Sequence, residues 1–257
     1  MNPPFILLVK VKCKMIYEIQ AKFSHLKPLV ENLDQYFQAS SRVLQNERNE
    51  IRVINYQGED YVVKAFRVPN LVNRIAYRYF RPSKAKRSYE YSIKIGEQYC
   101  PEAIAYIEEI RNGLLNKSYY ISKLFDADFE VRALLFDESF ENRSKILEEF
   151  AEFTYILHEK NILHRDYSPG NILVKKVGKS YTFRIVDINR MQFKALTLED
   201  RLSNFSRLSV DDKTMKIIIT RYAKCINQPV EEMLQQAINY RDKFSEKLLL
   251  KNKLRGR

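Results

Sequence analysis

The chain has 257 residues, 45% of them hydrophobic and 30% charged, which fits one large domain or two lobes and excludes a collagen-like or low-complexity chain. Its net charge of +12 indicates an anionic partner: nucleic acid, a membrane surface, or a phosphorylated or carboxylated substrate. Its three cysteines, Cys13, Cys100 and Cys225, form no CxxC pair, so neither a zinc site nor a disulfide framework is expected, and the cytoplasm is the default location.

The N-terminus joins a short apolar run, Phe5 to Val9, to the basic residues Lys10, Lys12 and Lys14. A signal peptide carries its positive charge in front of the apolar run, and this run is far too short to span a bilayer. We therefore expect a leader or a strand here.

The N-terminal half is predicted to be mainly β-structure. Residues 15–40 predict a short strand and then an amphipathic helix through Leu29, Leu33 and Phe37. Segments rich in Val, Ile and Tyr predict five further strands, at residues 41–45, 51–56, 60–66, 103–108 and 118–124. A basic segment, residues 67–94, contains eight Lys or Arg and one acid, Glu90, and Ser83 is placed to cap a helix in its second half.

The C-terminal half is predicted to be mostly helical. Ile146, Phe150, Phe153 and Leu157 recur with the period of a helix that has one apolar stripe. This helix leads into NILHRDYSPGNILVKK, a polar turn at residues 176–180 and the strand YTFRIVDI, and everything after Leu196 has a helical pattern.

The strongest chemical signal is His164-Arg165-Asp166, with Asn171 five residues after the aspartate and Asp187 at the end of a later buried strand. A loop between two strands would present one carboxylate and one amide, and the next strand end would add a second carboxylate. Phosphoryl transfer needs such a set, because one carboxylate orients and deprotonates the attacking hydroxyl while an amide oxygen and a second carboxylate bind magnesium.

These motifs resemble the protein-kinase-like superfamily, whose catalytic loop reads H-R-D-x-x-x-x-N and whose next strand ends in a metal-binding Asp. The resemblance covers about residues 40–210. It implies a two-lobed α+β fold: a lobe of residues 1–124 with an antiparallel five-stranded sheet plus a helix and an N-terminal extension to about residue 40, and a mostly helical lobe of residues 125–257.

The same resemblance implies ATP between the lobes, Mg²⁺ held by Asn171 and Asp187, and Asp166 as the catalytic base. Lys64 would bind the phosphates and pair with Glu90, for which Glu97 is the second choice. The implied contacts to ATP are Lys64, Glu90, Asn46, Arg48, Ser122, Lys123 and Leu124. His164 is expected to be structural, and Arg165 to contact either phosphate or backbone.

Three departures from protein kinases bear on the acceptor. The phosphate turn, residues 45–50, has no glycine, so Asn46 or Arg48 would have to supply donors. Ser168 stands where protein Ser/Thr kinases have a lysine, and Asp187-Ile188-Asn189-Arg190 replaces Asp-Phe-Gly. The connection to the next helix, near Leu198, is only about ten residues long. It is too short to dock an extended peptide, which disfavours a polypeptide acceptor.

The combination of RSYEYSIKI, HRDYSPGNILVKK and VDINRM is similar to the bacterial lipopolysaccharide kinase family, which phosphorylates Kdo or heptose sugars. This resemblance implies an anionic, lipid-linked sugar acceptor and a peripheral position at the inner membrane surface. Two basic regions are candidates for contacting acceptor or membrane, namely Arg74, Arg78, Arg81, Lys84, Lys86 and Arg87, and the tail Lys251, Lys253, Arg255 and Arg257. The run Leu248 to Leu250 is either a membrane contact or the end of a packed helix.

Two alternatives stay open. One is a kinase of another small molecule or of protein Ser/Thr. The other is a catalytically weak pseudokinase that binds nucleotide or anionic lipid as a scaffold. The presence of Lys64, Asp166, Asn171 and Asp187 favours an enzyme, whereas the glycine-free turn favours the scaffold. Nucleic acid is not expected as a partner, because zinc-finger spacing, an RNP-like strand motif and a basic zipper are all missing from the sequence.

Overall fold

A computed structural model describes residues 13–254. The apolar run Phe5 to Val9 and the tail residues Arg255 and Arg257 lie outside the described residues. The chain forms two compact units. Unit 1 contains the described residues up to Lys94 together with Glu102–Leu124, and unit 2 contains Ile95–Pro101 and the residues from Phe125 onward.

Unit 1 is built on an antiparallel sheet of six strands. The strands are β1 (Cys13–Ile19), β2 (Val43–Asn46), β3 (Glu50–Tyr56), β4 (Glu59–Phe66), β5 (Ala103–Arg111) and β6 (Leu114–Lys123). Their order across the sheet is β1-β5-β6-β4-β3-β2. The five predicted strands are all present, and the predicted α+β class is confirmed. The sixth strand arises because the strand-like piece near residue 15 pairs with β5, from Cys13 opposite Arg111 to Ile19 opposite Ala105.

One face of this sheet is covered by the short helices α1 (Lys27–Glu31) and α2 (Leu33–Ala39). Leu29, Leu33 and Phe37, the three residues of the predicted apolar stripe, are all buried and pack with Tyr61 and Val63 of β4. Because side chains alternate along a strand, Tyr61 and Val63 point to one face of the sheet, and Lys64 and Phe66 point to the other.

Two further helices follow β4: α3 (Leu71–Tyr79) and α4 (Lys84–Ile95). Ala85 and Tyr89 of α4 pack on Phe66 of β4 and Tyr106 of β5, so α4 covers the face that carries Lys64. The predicted cap is confirmed, since the Ser83 hydroxyl accepts the Lys86 N–H at 3.1 Å. Helix α3 was not among the predicted elements.

The described residues of unit 2 form small sheets and five α-helices. Its strands are β7 (Phe129–Glu130), β8 (Ile162–His164), β9 (Ile172–Val177), β10 (Ser180–Ile185) and β11 (Met191–Phe193). Its helices are α5 (Val131–Phe136), α6 (Arg143–Glu159), α7 (Leu198–Phe205), α8 (Asp212–Cys225) and α9 (Val230–Lys253). One sheet has the order β10-β9-β7, and β11 pairs with β8.

Helix α6 forms the centre of this unit. Its predicted stripe, Ile146, Phe150, Phe153 and Leu157, is buried. The ring of Tyr167 stacks on Phe150 with their centroids 5.8 Å apart, so the loop after β8 is anchored in the core. No helix within residues 13–254 has the length and apolar character needed to cross a bilayer.

The connection between β11 and α7 is four residues long and is fixed at both ends. Thr197 and Asp200 form a reciprocal capping box at the start of α7. Lys194, directly after β11, donates to both carboxylate oxygens of Asp200 at 2.7 and 2.8 Å. The helix begins at Leu198, as predicted.

Candidate functional site

The loop from Arg165 to Asn171 joins β8 to β9 in unit 2 and carries Asp166 near its start. The amide side chain of Asn171 donates to the backbone carbonyl of Asp166 at 2.8 Å, which closes the loop on itself. This bond uses the nitrogen of the Asn171 side chain, so its Oδ1 atom is the one that can act as a ligand. The Val186 N–H donates to the Asn171 carbonyl at 2.9 Å and joins this loop to the chain just before Asp187.

His164 supports the loop and is not placed as a base. Its Nδ1 accepts the Asp166 N–H at 3.1 Å, so the ring proton is on Nε2, which donates to the Val186 carbonyl at 2.8 Å. Complete burial lowers the pKa of His164, which keeps the ring neutral and both bonds intact. The structural role expected for His164 agrees with this geometry.

A chain of buried hydrogen bonds extends from this loop to α6 and α8. The Asn204 amide donates to the His164 carbonyl at 2.9 Å, and its oxygen lies 3.1 Å from His158 Nε2. The other ring nitrogen of His158 lies 2.7 Å from the Tyr222 hydroxyl. Burial lowers the pKa of His158 to about 4, so His158 is neutral and can complete the network at neutral pH.

Asp187 follows β10 in a left-handed backbone conformation, with φ +55° and ψ +44°. An L-residue other than glycine rarely adopts this conformation without local support. Here the buried Asn189 side chain donates to Asp187 Oδ1. The side chain of Asp187 is therefore held by its own turn, Asp187-Ile188-Asn189, which replaces Asp-Phe-Gly.

The donor set of Asn171 and Asp187 fits magnesium, because both supply hard oxygen ligands from loops that the Val186–Asn171 hydrogen bond joins. Within residues 13–254 no group of three or more His, Cys, Asp or Glu side chains is arranged to hold a metal. The predicted magnesium ligands are one amide and one carboxylate, and such a pair is smaller than a group of three and includes a residue type, Asn, that those groups do not contain.

Two arginines flank the carboxylate of Asp166. Arg190 Nη1 lies 3.6 Å from Oδ2, and Arg207 Nη1 lies 3.4 Å from Oδ1. The Arg207 guanidinium also lies over the Phe244 ring of α9, 5.0 Å from its centroid. The sequence contains Arg190 within a recognisable motif but carries no signal for Arg207, which is 41 residues from Asp166 and reaches it through tertiary packing.

Gly170 marks a close approach in the same loop. A β-carbon at this position would overlap the guanidinium of Arg132, which lies directly over the glycine. Arg132 is also 3.7 Å from Glu130, so its head group is on the exposed side of the loop. A third guanidinium thus lies against the loop that carries Asp166.

In unit 1, Lys64 lies on β4 opposite Tyr120 of β6. Its Nζ is 5.5 Å from the centroid of the Phe66 ring, on the face that α4 covers.

The implied pairing of Lys64 with Glu90 is not formed. Glu90 is on the exposed side of α4, where the cation within 4 Å is Lys86, at 3.8 Å. The reason is the rotation of α4, which turns Ala85 and Tyr89 toward the sheet and Glu90 away from it. The second choice, Glu97, is not on the helix, because α4 ends at Ile95 and Gly96 follows with φ +93°.

The glycine-free turn between β2 and β3 is short and exposed. Asn46 is the last residue of β2 and pairs with Glu50, and Arg48 is at the tip. The Asn49 side chain accepts the Arg67 N–H at 3.4 Å, which ties the turn to the end of β4.

The segment predicted to contact adenine is at the end of β6. Ser122 is buried in the sheet. The Lys123 N–H donates to the Glu102 carbonyl at 2.9 Å, and the Leu124 N–H donates to the Asp60 carbonyl at 3.4 Å. The Lys123 side chain lies 3.3 Å from the Glu102 carboxylate. Both backbone donors of Lys123 and Leu124 are therefore engaged within unit 1.

No protein-family model matches this chain, and no curated protein matches its sequence. A solved structure described as WaaP in complex with acyl carrier protein is similar, with a TM-score of 0.57 and 16% identity, over 91% of this chain and 99% of that chain. The PknI kinase domain of Mycobacterium tuberculosis, as a C20A_R136A double mutant, has a TM-score of 0.44 and 13% identity, over 70% of this chain and 72% of that chain.

The likeness to WaaP spans nearly the whole of both chains, and at 16% identity it reports on the fold alone. The chain therefore has the protein-kinase-like fold, in agreement with the resemblance of its motifs to the lipopolysaccharide kinases of that superfamily.

Proposed function

We propose that this protein transfers the γ-phosphate of ATP to a sugar hydroxyl of the lipopolysaccharide inner core, on Kdo or heptose. The observation that carries the proposal is the setting of Asp166: its loop is closed by Asn171, joined to the strand end before Asp187, and flanked by Arg190 and Arg207. The motifs that resemble the lipopolysaccharide kinase family support this acceptor class, and the fold that the chain shares with WaaP is compatible with it.

Asp166 acts as the base in this proposal. Its carboxylate accepts the proton of the acceptor hydroxyl as the hydroxyl oxygen bonds to the γ-phosphorus and the bond to the ADP oxygen breaks. The hydrogen bonds of Asn171 and His164 to the Asp166 backbone fix the position of this side chain before the acceptor arrives. Such positioning is most of what a protein contributes to phosphoryl transfer.

The remaining roles concern ATP and magnesium. Asn171 Oδ1 and the Asp187 carboxylate would hold Mg²⁺, which would neutralise charge on the phosphates. Lys64 contacts the phosphates, with Asn46 and Arg48 as further donors. Residues 122–124 contact adenine through carbonyl groups, because the N–H groups of Lys123 and Leu124 are engaged in the sheet.

Arg190 and Arg207 favour an anionic acceptor. Guanidinium groups bind carboxylates and phosphates by paired, charge-assisted hydrogen bonds. Two of them beside the base would hold an acid group of the acceptor close to the hydroxyl that reacts. A Kdo carboxylate or a core phosphate meets this requirement, and such an acceptor places the protein peripherally at the cytoplasmic face of the inner membrane.

The test is transfer from radiolabelled ATP, with magnesium, to a Kdo-containing lipid A precursor, beside a pool of peptides. We expect label on the lipid, a loss of about 10²-fold or more in Asp166→Asn with nucleotide binding retained, and loss in Asp187→Ala. Asp242→Asn, which changes a half-exposed carboxylate on α9, is the matched control and should keep its activity.

Unchanged turnover in Asp166→Asn would refute the role of Asp166 as the catalytic base. Label on peptides alone would favour the protein kinase alternative. Bound ATP with no transfer to any acceptor would favour the scaffold.

A further inference from the structure

Residues 67–84 of unit 1 expose large apolar side chains that the fold does not use. Val72 is 76% exposed, Phe80 83% and Tyr79 67%. Leu71 and Ile75 of the same helix are also exposed, and α3 contains no buried residue. Burying such side chains is normally favourable, so a contiguous group of them left in contact with water indicates a binding surface.

These side chains form one face. At about 100° per residue, Leu71, Val72, Ile75 and Tyr79 fall within an arc of roughly 100° on α3. The segment is also strongly basic, and no acid occurs between residues 67 and 89. The basic residues of this segment are Arg67, Arg74, Arg78, Arg81 and Lys84, and on α3 the helical spacing sets Arg74 and Arg78 beside the apolar face.

The helix is held by its polar edge, so its apolar face is not needed for folding. Arg74 Nε donates to the Leu115 carbonyl of β6 at 2.7 Å. The Asn70 side chain caps the helix by accepting the Asn73 N–H at 3.0 Å. The Arg81 guanidinium stacks on the Tyr77 ring, 4.5 Å from its centroid.

We infer that the apolar face of α3 inserts into the interfacial layer of an anionic lipid bilayer, with the bordering arginines at the lipid phosphates. A short helix with an apolar face, bordering guanidinium groups and a terminal Tyr-Phe pair has the composition that favours this layer. Residues 67–84 are basic and include no acidic residue. Such a segment complements a uniformly negative membrane surface better than a protein surface that carries charges of both signs. The inference extends the proposed function, which places the acceptor in a membrane.

The end of α9 is the competing candidate, and its geometry argues against it. Leu248, Leu249 and Leu250 are exposed and are neighbours of Lys247 and Lys251. However, three consecutive residues of a helix point in directions about 100° apart, so they do not form one face. This region therefore serves as a matched control for α3.

The chain contains no tryptophan, so a single introduced tryptophan reports on its own surroundings. Val72→Trp and Leu249→Trp would each be mixed with phosphatidylcholine vesicles, with and without phosphatidylglycerol, in the absence of ATP and acceptor. We expect a blue shift of the emission for Val72→Trp with the anionic vesicles and none for Leu249→Trp.

Vesicle sedimentation provides the second arm. The triple variant Leu71→Ser, Val72→Ser, Phe80→Ser should bind anionic vesicles about tenfold or more weakly. The triple change of Leu248, Leu249 and Leu250 to Ser should bind as the wild type does. The changed residues are exposed, so both variants should keep the wild-type circular dichroism spectrum and Tm.

The inference would be overturned if the wild type did not bind anionic vesicles, or if the α3 variant bound them as tightly as the wild type. A concentration-dependent dimer that the α3 changes abolish, without vesicle binding, would assign the face to a second copy of the chain. Failure of the proposed function is separable, since it would leave vesicle binding intact while no label reached the lipid acceptor.

Discussion

Asp166 is flanked by Arg190 and Arg207, and this setting has a measurable consequence for the acceptor. Arg207→Gln should raise the KM for an acceptor that carries a carboxylate or phosphate by about tenfold or more, because a hydrogen bond between charged groups contributes about 1.5–3 kcal/mol. The KM for a neutral sugar should change little. Phe244→Ala, which removes the ring under Arg207, should have a smaller effect in the same direction.

The matched control is Arg221→Gln, since Arg221 pairs with Glu152 and takes no part in the proposed chemistry. Steady-state kinetics with the two acceptors measure the effect. Equal losses with charged and neutral acceptors would contradict acceptor recognition by Arg207.

His158 makes stability depend on pH. Its pKa is about 4 in the folded state, below the usual 6.5, so the folded state binds fewer protons than the unfolded state between these values. The free energy of unfolding should therefore fall as the pH drops from 6.5 to 4, by on the order of 3 kcal/mol in total. His164, whose pKa is also lowered, acts in the same direction.

Denaturant unfolding at several pH values would measure this dependence. The variant His158→Gln, which lacks the titrating ring, should show a shallower decline than the wild type. An identical pH dependence in the two proteins would show that His158 does not contribute.

At the residue scale, the sequence predicted those site residues whose positions are determined by a local motif. Asp166 and Asn171 are five residues apart, and one loop conformation brings them together. Arg207 and Glu90 show the limit of this reasoning. The position of Arg207 depends on how α7 and α9 pack, and the direction of Glu90 depends on the rotation of α4 on its sheet.

At the scale of elements, the helices α1 and α2 illustrate how burial determines stability. Leu29→Ala should lower the free energy of unfolding by about 2–5 kcal/mol, because Leu29 is fully buried against the sheet and its removal leaves a cavity. Leu71→Ala on α3 makes the same chemical change at a site that is 60% exposed. It should alter the free energy of unfolding by about 0.5 kcal/mol or less.

Chemical denaturation of the two variants beside the wild type provides the comparison. Similar losses of stability in both would mean that the face of α3 is packed in solution, and would contradict its exposure.

Strands with clear alternation were predictable, whereas the partner of β1 was not. The five predicted strands carry Val, Ile and Tyr in patterns that favour β-structure whatever they pair with. The pairing of β1 with β5 joins residues about ninety positions apart, and a single sequence carries no local signal for it. Helix α3 was predictable from the sequence as well, because Leu71, Val72, Ile75 and Tyr79 have the spacing of one helix face.

At the scale of the whole molecule, the net charge of +12 predicts a dependence on ionic strength. Attraction between the protein and an anionic acceptor should weaken as salt rises, because the Debye length falls from about 30 Å at 0.01 M to about 8 Å at 0.15 M. The KM for the charged acceptor should increase over this range, at saturating ATP. With a neutral sugar the KM should stay nearly constant, and a flat response for both would show that the excess charge does not guide the acceptor.

The four residues between β11 and α7 have a consequence for regulation. Lys194 bonds to Asp200, and Asp200 and Thr197 cap α7, so this stretch is ordered by contacts already present in the unmodified chain. Where a longer segment follows the metal-binding aspartate, phosphorylation can order it and so switch catalysis on. Here the backbone beyond Asp187 is in place from the start, so no covalent signal is needed to assemble this stretch. The rate of the proposed reaction would then follow the local supply of acceptor.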